Sequence, residues 1–576
     1  MAIAIAVAVA TGQPDAAGRK SSRKLDAALA RMERHGGHRT RVIIRVRQGE
    51  SASVKESLRR TQSDLKYDHG TISALTADLR GDSIDGIADL ENVESVSIDA
   101  PVEALAVSIP ATSGTALRRT LGIEADRSIA GRGVGVAVID SGISPLPEFG
   151  SRIRAFHDFT RGGIATRPFD DYGHGTHVAG LIGGGGAATA DDADVGVAPR
   201  VSFIGLKVLD GRGRGYSSDV IKAIEFAIEN RHTLGIDIIN LSLGHAPYES
   251  AKTDPLAQAV DRASAAGIIV VVAAGNVGLS LTTGLPAYAG ILSPGNARSA
   301  ITVGSAHTMG TRRRSDDVIG PYSSRGPTWH DGYAKPDLVA PGHKLLAPVS
   351  EWSELPRKYP LLKVTNGRGA PTFLTLTGTS MSAAVTSGVA ALVLEANRAA
   401  LAGTQPDLSP NAVKAILQYS ALPMRDALGV TYDHLTQGAG ALNGDGALAL
   451  ARAINTSSRR GTYRLMSGVA PVTYLDGSPL PWAQFIIWGN NVVWGELFRD
   501  ENVVWGDNLV WGDNLVWGDN VVWGDNVVWG DNLVWGDNLV WGDNLVWGDN
   551  VVWGENLVWG ESRDENVVWG DSVLAQ

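Results

Sequence analysis

Between residues 113 and 455 the chain alternates short apolar runs with longer segments whose apolar residues recur at helical spacing. The apolar runs, which are flanked by turn residues, are 134–139, 202–208, 236–243 and 268–274. Segments 218–230 and 255–266 lie between them and have the helical spacing. Continuous apolar strands that alternate with helices are typical of a parallel sheet covered by helices on both faces. We therefore predict an α/β domain, and its chemistry should lie at the carboxyl ends of the strands.

A smaller unit precedes this domain, within residues 38–108. Its predicted strands are 41–46, 72–79 and 93–98, and its predicted helices are 53–65 and 84–90. This order predicts an α+β unit of the βαββαβ type. A core built from so few residues is only marginally stable on its own.

Residues 1–37 precede this unit and divide into two parts. Residues 2–10 are apolar and end in Ala8-Val-Ala10, which is the length and ending of the apolar core of a signal peptide. This stretch is too short to span a membrane. It lacks the basic residue that usually leads a signal, so the alternative is a wrongly assigned start or a frayed terminus. Residues 13–37 are polar and charged and are predicted to be a linker with some helix.

The C-terminal part is a repeat, 488–571, which a predicted linker at 456–487 connects to the α/β domain. The hexapeptide Trp-Gly-Asp-Asn-[Leu/Val]-Val recurs here, and its ten Trp residues from Trp505 to Trp559 are spaced six apart without a gap. An even period keeps each residue type on one face of a strand, and Gly with Asp-Asn supplies turns. Three hexapeptides could form one triangular coil of a β-solenoid. The alternatives are a disordered segment, fibril-like association or another fold, and the partner of the repeat is unknown.

Composition excludes several kinds of site. The chain has no Cys, which excludes disulfides, thiolate zinc sites and a cysteine nucleophile. Its net charge of −10 argues against nucleic acid as a partner. From Trp488 onwards there are 16 acidic and 2 basic residues, so this part carries a net charge of −14 and the rest of the chain carries +4. No apolar run approaches the ~18 residues of a membrane span, and no transmembrane segment is expected.

Four positions carry candidate chemistry. Asp140 and Asn276 each follow an apolar strand, and a turn residue is the structural alternative for both. His174 lies between two glycines at the start of an apolar helix, and Ser380 stands where a loop meets a helix, with an N-cap as its alternative. Together they offer a nucleophile, a base, a carboxylate to orient the base and an amide donor for an oxyanion. His177 could pack structurally or share a metal ion with His174.

The sequence around these positions resembles the signature motifs of the subtilisin-like serine proteases. The motifs are Val-Ile-Asp140-Ser-Gly, Gly-His174-Gly-Thr-His-Val-Ala-Gly, Ala-Ala-Gly-Asn276 and Gly-Thr-Ser380-Met, and they occur in that family's order. The resemblance covers about 113–455. It implies a subtilisin-like parallel sheet flanked by helices and a catalytic triad of Asp140, His174 and Ser380. It also implies that Asn276 lines the oxyanion hole and that the chemistry requires no cofactor.

The same resemblance implies substrate-binding positions, which are Gly213, Arg214, Gly215, Ser242, Leu243, Gly244, Ala273, Ala274 and Gly275. Residues 213–215 resemble an edge strand that pairs with an extended substrate. Residues 242–244 and 273–275 resemble the two walls of the first specificity pocket. The glycines in these walls predict room for an apolar or aromatic side chain. Arg212 and Arg214 could favour acidic residues upstream of the cut, or be two solvated surface arginines.

Two further features accompany the resemblance. Residues 351–372 look like an insertion before the nucleophile. The family often binds structural calcium, and Asp170 and Asp171 are the only recognisable fragment of a ligand set, so the metal ligands are unknown.

Residues 38–108 resemble that family's inhibitory propeptide by position and pattern, with a permanent structural domain as the alternative. Parallel sheets form slowly because their contacts are non-local, so a small unit could assist folding and then block the cleft. Self-cleavage would fall between Val102 and Ser113. We therefore predict a secreted or cell-surface serine endopeptidase that acts on proteins or peptides and is made as a self-inhibited precursor. The alternatives are a protease-fold scaffold whose repeat serves binding or assembly, and an esterase or transferase with the same triad.

Overall fold

The computed structural model describes residues 24–494 with gaps at 33–37, 107–116, 124–127, 187–195, 281, 310, 312, 365–372, 402–406, 457–467, 476 and 489–490. Beyond residue 494 it describes the strands given below. The predicted signal segment and most of the predicted linker at 13–37 therefore lie outside the described residues.

The N-terminal unit is a four-stranded antiparallel sheet in the order β2-β3-β1-β4. Its elements are α1 (Ala27–Arg31), β1 (Arg39–Val46), α2 (Ser51–Arg60), β2 (Asp64–His69), β3 (Ala74–Arg80), α3 (Ile84–Ala88) and β4 (Val93–Ile98). The helix predicted at 53–65 ends at Arg60, and β2 follows it. Sequence patterning missed β2 because it is an edge strand whose first five residues are exposed or half-buried, so no apolar face marks it.

The larger domain is built on a nine-stranded sheet. The strands of the domain and its cleft are β5 (Pro101–Ala104), β6 (Gly135–Asp140), β7 (Ile153–Asp158), β8 (Ile164–Ala165), β9 (Ser202–Lys207), β10 (Arg214–Tyr216), β11 (Ile238–Leu241), β12 (Leu243–Gly244), β13 (Ile269–Ala273), β14 (Ile301–His307), β15 (Val318–Ile319), β16 (Leu338–Pro341), β17 (Leu345–Pro348), β18 (Lys363–Val364) and β19 (Phe373–Leu376). The central sheet has the order β15-β14-β13-β11-β6-β9-β7-β8, and β16 also pairs with β14. All pairs are parallel except those of β8 and β15.

Helices cover both faces of this sheet. They are α4 (Leu117–Thr120), α5 (His174–Gly183), α6 (Ser217–Glu229), α7 (Arg231–Leu234), α8 (Pro255–Ala265), α9 (Glu354–Lys358), α10 (Thr379–Ala400), α11 (Pro410–Tyr419), α12 (His434–Gln437) and α13 (Gly444–Ala453). Successive residues of β6 point to opposite faces: Val136 and Val138 join the core of α5, α10 and α13, whereas Ala137 and Ile139 join that of α6 and α8. The prediction of a parallel sheet flanked by helices is confirmed, with antiparallel strands added at its edges.

One helix of the described residues, α10, has the length and hydropathy of a membrane span, and 94% of its most apolar window is buried inside the fold.

A small antiparallel sheet joins the N-terminal unit to the larger domain. Strand β5, which follows the N-terminal unit, lies between β10 and β12. Its Glu103 is opposite Arg214 on one side and Gly244 on the other. The insertion predicted at 351–372 contributes α9 and β18, and its residues 365–372 lie outside the described residues.

The stretch predicted to be a linker, 456–487, has strands in its described part. Here β20 (Val472–Leu475) and β21 (Ser478–Pro481) form a hairpin, as do β22 (Phe485–Trp488) and β23 (Asn491–Trp494). Trp482 is buried, and its indole N–H donates to the hydroxyl of Thr473 at 2.9 Å. Because this side chain packs into the main core, the stretch is attached to the domain rather than free of it.

The strands of the repeat pair in parallel in three sheets. They are β24 (Leu509–Trp511), β25 (Asn514–Trp517), β26 (Asn520–Trp523), β27 (Val527–Trp529), β28 (Asn532–Trp535), β29 (Asn538–Trp541), β30 (Leu545–Trp547), β31 (Asn550–Trp553), β32 (Asn556–Trp559), β33 (Val567–Trp569) and β34 (Val573–Ala575). From β24 to β32, paired positions are three hexapeptides apart, as Leu509 and Val527 are.

Candidate active site

Asp140 and His174 meet at the carboxyl end of the parallel sheet. Asp140 is the last residue of β6, and His174 is the first residue of α5. His174 Nδ1 lies 2.8 Å from Asp140 Oδ1 and 2.9 Å from Oδ2, and both side chains are fully buried. A carboxylate only accepts, so Nδ1 carries the proton and Nε2 is able to accept one. The start of α5 can approach the turn after β6 this closely because residue 175 is Gly. A Cβ on Gly175 would lie 2.2 Å from the carbonyl oxygen of Gly142.

Ser380 lies at the same edge of the sheet, as the second residue of α10. Its Oγ is 2.6 Å from the carbonyl oxygen of Leu105 and 2.9 Å from that of Ser242. The residue that caps α10 is Gly378, so the interpretation of Ser380 as an N-cap is wrong. His174 Nε2 has no hydrogen-bond partner among the described residues. The hydroxyl therefore bonds to a peptide carbonyl and not to the imidazole.

Asn276 follows β13 and is oriented by the first turn of α10. Its Oδ1 accepts hydrogen bonds from the N–H and the hydroxyl of Thr379, at 3.0 and 3.1 Å. The Thr379 hydroxyl also accepts from the N–H of Gly275 at 3.2 Å. A Cβ on Gly378 would lie 3.1 Å from Asn276 Nδ2 and 2.6 Å from the carbonyl oxygen of Leu105. The amide donor and that carbonyl oxygen therefore border the same small space, which glycine leaves open.

Strands β10 and β12 hold β5 through the main chain. The N–H of Ala104 donates to the carbonyl of Gly213 at 3.1 Å, and the N–H of Leu105 donates to the carbonyl of Ser242 at 3.2 Å. Leu243 is opposite Ala104 in the register of the pair. A peptide held between two strands in this way is an added strand, which is how extended peptides bind to open sheet edges.

The side chain of Leu105 lies against the predicted walls of the first pocket. A Cβ on Gly244 would lie 3.5 Å from Leu105 Cδ1. Leu105 belongs to the same apolar cluster as Ala273 and Leu292. The carbonyl of Ala274 accepts from the N–H of Leu292 at 3.0 Å, which holds the opposite wall in place. Sequence reasoning missed Leu292, because an apolar residue in a loop carries no distinguishing pattern.

Asp170 organises the loop that leads to His174. Its oxygens accept hydrogen bonds from the N–H groups of Tyr172, Gly173 and Thr176 and from the hydroxyls of Ser141 and Thr176. Desolvation by burial raises the pKa of Asp170 despite these bonds. Asp171 Oδ1 lies 2.6 Å from Lys207 Nζ. Both carboxylates thus serve contacts within the protein, and no group of three metal-ligating side chains in the described part of the chain could hold an ion.

His177 is fully buried one helical turn after His174. Its Nε2 lies 3.0 Å from the carbonyl oxygen of Leu374 and 3.2 Å from that of Leu345. Desolvation by burial lowers the pKa of His177 to about 3, so the ring is neutral at ordinary pH. These contacts agree with the structural interpretation of His177.

The N-terminal unit also binds the amino end of α6. The buried carboxylate of Asp99 accepts from the N–H and the hydroxyl of Ser218, at 2.8 and 2.7 Å. A negative group is favourable at a helix amino terminus. Desolvation by burial nevertheless raises the pKa of Asp99 to about 6. Tyr67 donates to Asp219 of the same helix at 2.7 Å.

A second contact with α6 is buried further along the helix. His69 Nδ1 lies 3.3 Å from Glu225 Oε2, and His69 Nε2 lies 2.8 Å from the hydroxyl of Thr76. The N–H and hydroxyl of Thr71 both donate to Glu225 Oε1. Desolvation by burial lowers the pKa of His69. Polar groups therefore hold the N-terminal unit to α6 at two separate points.

Comparison with known proteins assigns the larger domain. Residues 131–444 match the Subtilase family. Serine protease AprX of Bacillus subtilis strain 168 is 34% identical over 390 residues, which are 67% of this chain and 81% of AprX. M-protease of Shouchella clausii strain KSM-K16 is 31% identical over 358 residues, 62% of this chain and 78% of that protein. Fervidolysin from Fervidobacterium pennivorans has a similar fold, with a TM-score of 0.54 and 21% identity over 74% of this chain and 62% of its own.

The match to the family covers more than half of the chain and includes Asp140, His174, Asn276 and Ser380. The N-terminal unit and the repeat lie outside it. AprX and M-protease, which cover most of their own length in these alignments, are both proteases by name. The chain therefore belongs to the subtilase family and is a serine endopeptidase.

Proposed function

We propose that this endopeptidase cuts proteins or peptides by acyl transfer at Ser380, and that it is made as a precursor whose own residues 38–108 block the cleft. One observation carries the proposal: Ser380 Oγ lies 2.6 Å from the carbonyl oxygen of Leu105, in a segment that β10 and β12 hold as an added strand. A substrate that Ser380 attacks must also bring its carbonyl group next to Oγ, so this contact supports the proposal.

In the proposed reaction, Ser380 Oγ forms a bond to the carbonyl carbon while His174 Nε2 takes the hydroxyl proton. Asp140 keeps the imidazole in the required tautomer and stabilises the imidazolium, the role it has in the family's triad. Asn276 Nδ2 and the Ser380 N–H donate to the carbonyl oxygen as it becomes negative. The C–N bond then breaks, and His174 gives its proton to the leaving amine. Water then attacks the carbonyl carbon of the acyl group while the same imidazole takes a proton from it. That proton passes to Ser380 Oγ as the bond from Oγ to the acyl group breaks, so the acid leaves and the serine hydroxyl is restored.

This chemistry uses side chains and water, so we propose that it needs no cofactor. A chelator should leave kcat unchanged. Structural calcium would be recognised separately, as a chelator-dependent loss of thermal stability that added calcium reverses.

The test compares the parent chain with Ser380→Ala and with Ser264→Ala, a half-buried serine of α8 that serves as the control. The parent and the control should hydrolyse casein and lose their amino-terminal part. Ser380→Ala should do neither while keeping its circular dichroism spectrum. Equal hydrolysis by the parent and Ser380→Ala would overturn the proposal. A folded parent that hydrolyses nothing would favour the scaffold alternative.

We also propose that the protein acts outside the cytoplasm. The apolar stretch at 2–10, with its Ala8-Val-Ala10 ending, supports export. The measurement is the amount of protein in the culture medium with and without residues 2–10. Equal amounts in both cultures would contradict the proposal.

For the repeat we propose a β-solenoid with three hexapeptides in each coil. The parallel pairing of strands three hexapeptides apart, as between Asn514 and Asn532, supports it. Hydrogen exchange of the full chain measures this directly. Slow exchange of the strand amides across 509–559 is expected, and exchange at the rate of an unfolded peptide would favour disorder.

A further inference from the structure

Residues 102–105 lie in the cleft as an added strand, and its end meets Ser380. Because the carbonyl oxygen of Leu105 is 2.6 Å from Ser380 Oγ, the peptide bond that faces the nucleophile is the one between Leu105 and Ala106. Counted back from this bond, Leu105 is the first residue and Glu103 is the third. The segment therefore shows which side chains the cleft accepts at each position.

These positions differ in their surroundings. Val102 is fully buried, in an apolar cluster with Leu209 and Leu243, and Leu105 is 9% exposed. The Glu103 side chain is 35% exposed. Apolar burial thus selects the first and fourth positions, whereas the third meets a polar surface at the rim of the cleft.

The group that meets the third position is Arg214. Its Nε lies 3.0 Å from Glu103 Oε1. The two residues are directly opposite in the antiparallel register of β10 and β5. Residues opposite each other on neighbouring strands have Cβ atoms ~5 Å apart, so a substrate bound in the same register presents its third side chain to Arg214.

A tight turn holds the backbone of Arg214 through bonds made within the larger domain. Asp210 Oδ1 accepts from the N–H of Arg214 at 3.0 Å and from the N–H of Arg212 at 2.8 Å. The N–H of Asp210 donates to the carbonyl of Arg214 at 2.8 Å. The guanidinium is therefore carried by a backbone that belongs wholly to the larger domain.

We propose that Arg214 makes the cleft select an acidic side chain at the third position before the cut, and that Leu105–Ala106 is the bond cut in the precursor. The inference rests on the proposed function, because it assumes that β5 lies where substrates lie. Arg214 is 57% exposed, so the selectivity is modest. Exposed ion pairs change an equilibrium by up to about fivefold, and salt screens them.

The first test measures kcat/KM of the mature enzyme on three peptides that share Pro-Val-X-Ala-Leu-Ala and carry Glu, Gln or Lys at X. The expected order is Glu, then Gln, then Lys, with Glu over Gln by up to about fivefold at low salt and less at high salt. Equal rates at low salt would overturn the assignment of Arg214. No hydrolysis of any of the peptides by an enzyme that still cuts casein would overturn this inference alone, whereas no hydrolysis of casein either would overturn the proposed function.

The second test reverses the charge. Arg214→Glu should reverse the ratio of the Glu and Lys peptides. Arg212→Glu changes the net charge by the same amount and is the matched control, and it should keep the parent's order. An equal change of the ratio in both variants would show that the overall positive charge near the cleft sets the preference. It would overturn the specific role of Arg214.

The bond in the precursor is tested by mass spectrometry of the first cleavage product. A new amino terminus at Ala106 supports the inference, and a first cut elsewhere overturns it. Glu103→Lys should slow this cut, and combining it with Arg214→Glu should restore the rate. Failure of the double variant to recover, while Glu103→Lys with Arg212→Glu recovers, would contradict the pairing.

Discussion

Asp99 provides a quantitative test of how the N-terminal unit is held. Its carboxylate accepts hydrogen bonds from the N–H and the hydroxyl of Ser218, at 2.8 and 2.7 Å. Asp99→Ala leaves a buried N–H and a buried hydroxyl without this acceptor. Loss of a helix-capping side chain costs about 0.5–2 kcal/mol, and an unsatisfied buried donor costs about 1–3 kcal/mol. These ranges overlap between about 1 and 2 kcal/mol, which is about 5- to 30-fold in the equilibrium for opening the contact.

The effect should depend on pH with a definite sign. Desolvation raises the pKa of Asp99 to about 6 from 3.8, so between these values the folded protein binds a proton that the unfolded chain releases. The contribution of Asp99 to stability is therefore fully present at acidic pH and decreases as the pH rises through about 6. Asp99→Ala should cost more at about pH 4 than at about pH 8.

The assay is hydrogen exchange in the Ser380→Ala background, where self-cleavage is removed. Asp99→Ala should speed exchange at the first turn of α6 by about 5- to 30-fold and leave β6 unchanged. Asp82→Ala is the control, because Asp82 is exposed and contacts Arg80 and Ser83, which belong to the N-terminal unit. Unchanged exchange at residues 217–221 in a folded Asp99→Ala chain would refute the reasoning.

Three further changes separate other contributions. Asn276→Ala should lower kcat by about 10²–10³, the range seen on removing such a donor in this family, with little change in KM; a change confined to KM would contradict the oxyanion role. Glu249→Gln should flatten the fall of the unfolding free energy between about pH 5 and 7, because desolvation raises the pKa of Glu249 to about 7, with Asp254 and Asp26 adding to it. Urea unfolding across this range measures the slope, and an unchanged slope would rule out Glu249 as its source. Deleting residues 495–576 should leave peptide hydrolysis unchanged, since the site lies between residues 101 and 380; a fall in kcat would show that the repeat acts on the site.

Local patterning predicts the elements of the larger domain well because both faces of its sheet are buried. The run at 134–139 corresponds to β6, and the run at 268–274 corresponds to β13. The start of α8 is marked by Asp254 and Pro255: the Asp254 carboxylate accepts from two N–H groups of the first turn, and Pro255 needs no partner for its nitrogen. Each of these signals is contained in a few neighbouring residues.

Local sequence patterns of this kind do not predict contacts between segments that are far apart in the chain. Asp99 and Ser218 are 119 positions apart, and Leu105 and Ser380 are 275 positions apart. Their meeting depends on the register in which β5 enters the cleft, which no apolar pattern specifies. The resemblance to a family indicated which residues carry the chemistry. It indicated a cut between Val102 and Ser113, but not which peptide bond of that stretch would face the serine hydroxyl, because that depends on the register of the segment in the cleft.

The same geometry bears on the proposal that the chain's own segment blocks the cleft. A serine hydroxyl has one proton to donate, and Ser380 Oγ lies within hydrogen-bonding distance of the carbonyl oxygens of Leu105 and Ser242. While that proton is donated to a carbonyl, it is not donated to His174, whose Nε2 has no partner among the described residues. In the proposed mechanism the hydroxyl must first rotate to another staggered position about its Cα–Cβ bond. Only then can the imidazole take the proton as Oγ approaches the carbonyl carbon. Binding and activation are thus separate steps in the proposed mechanism, so occupation of the cleft does not by itself commit the segment to cleavage.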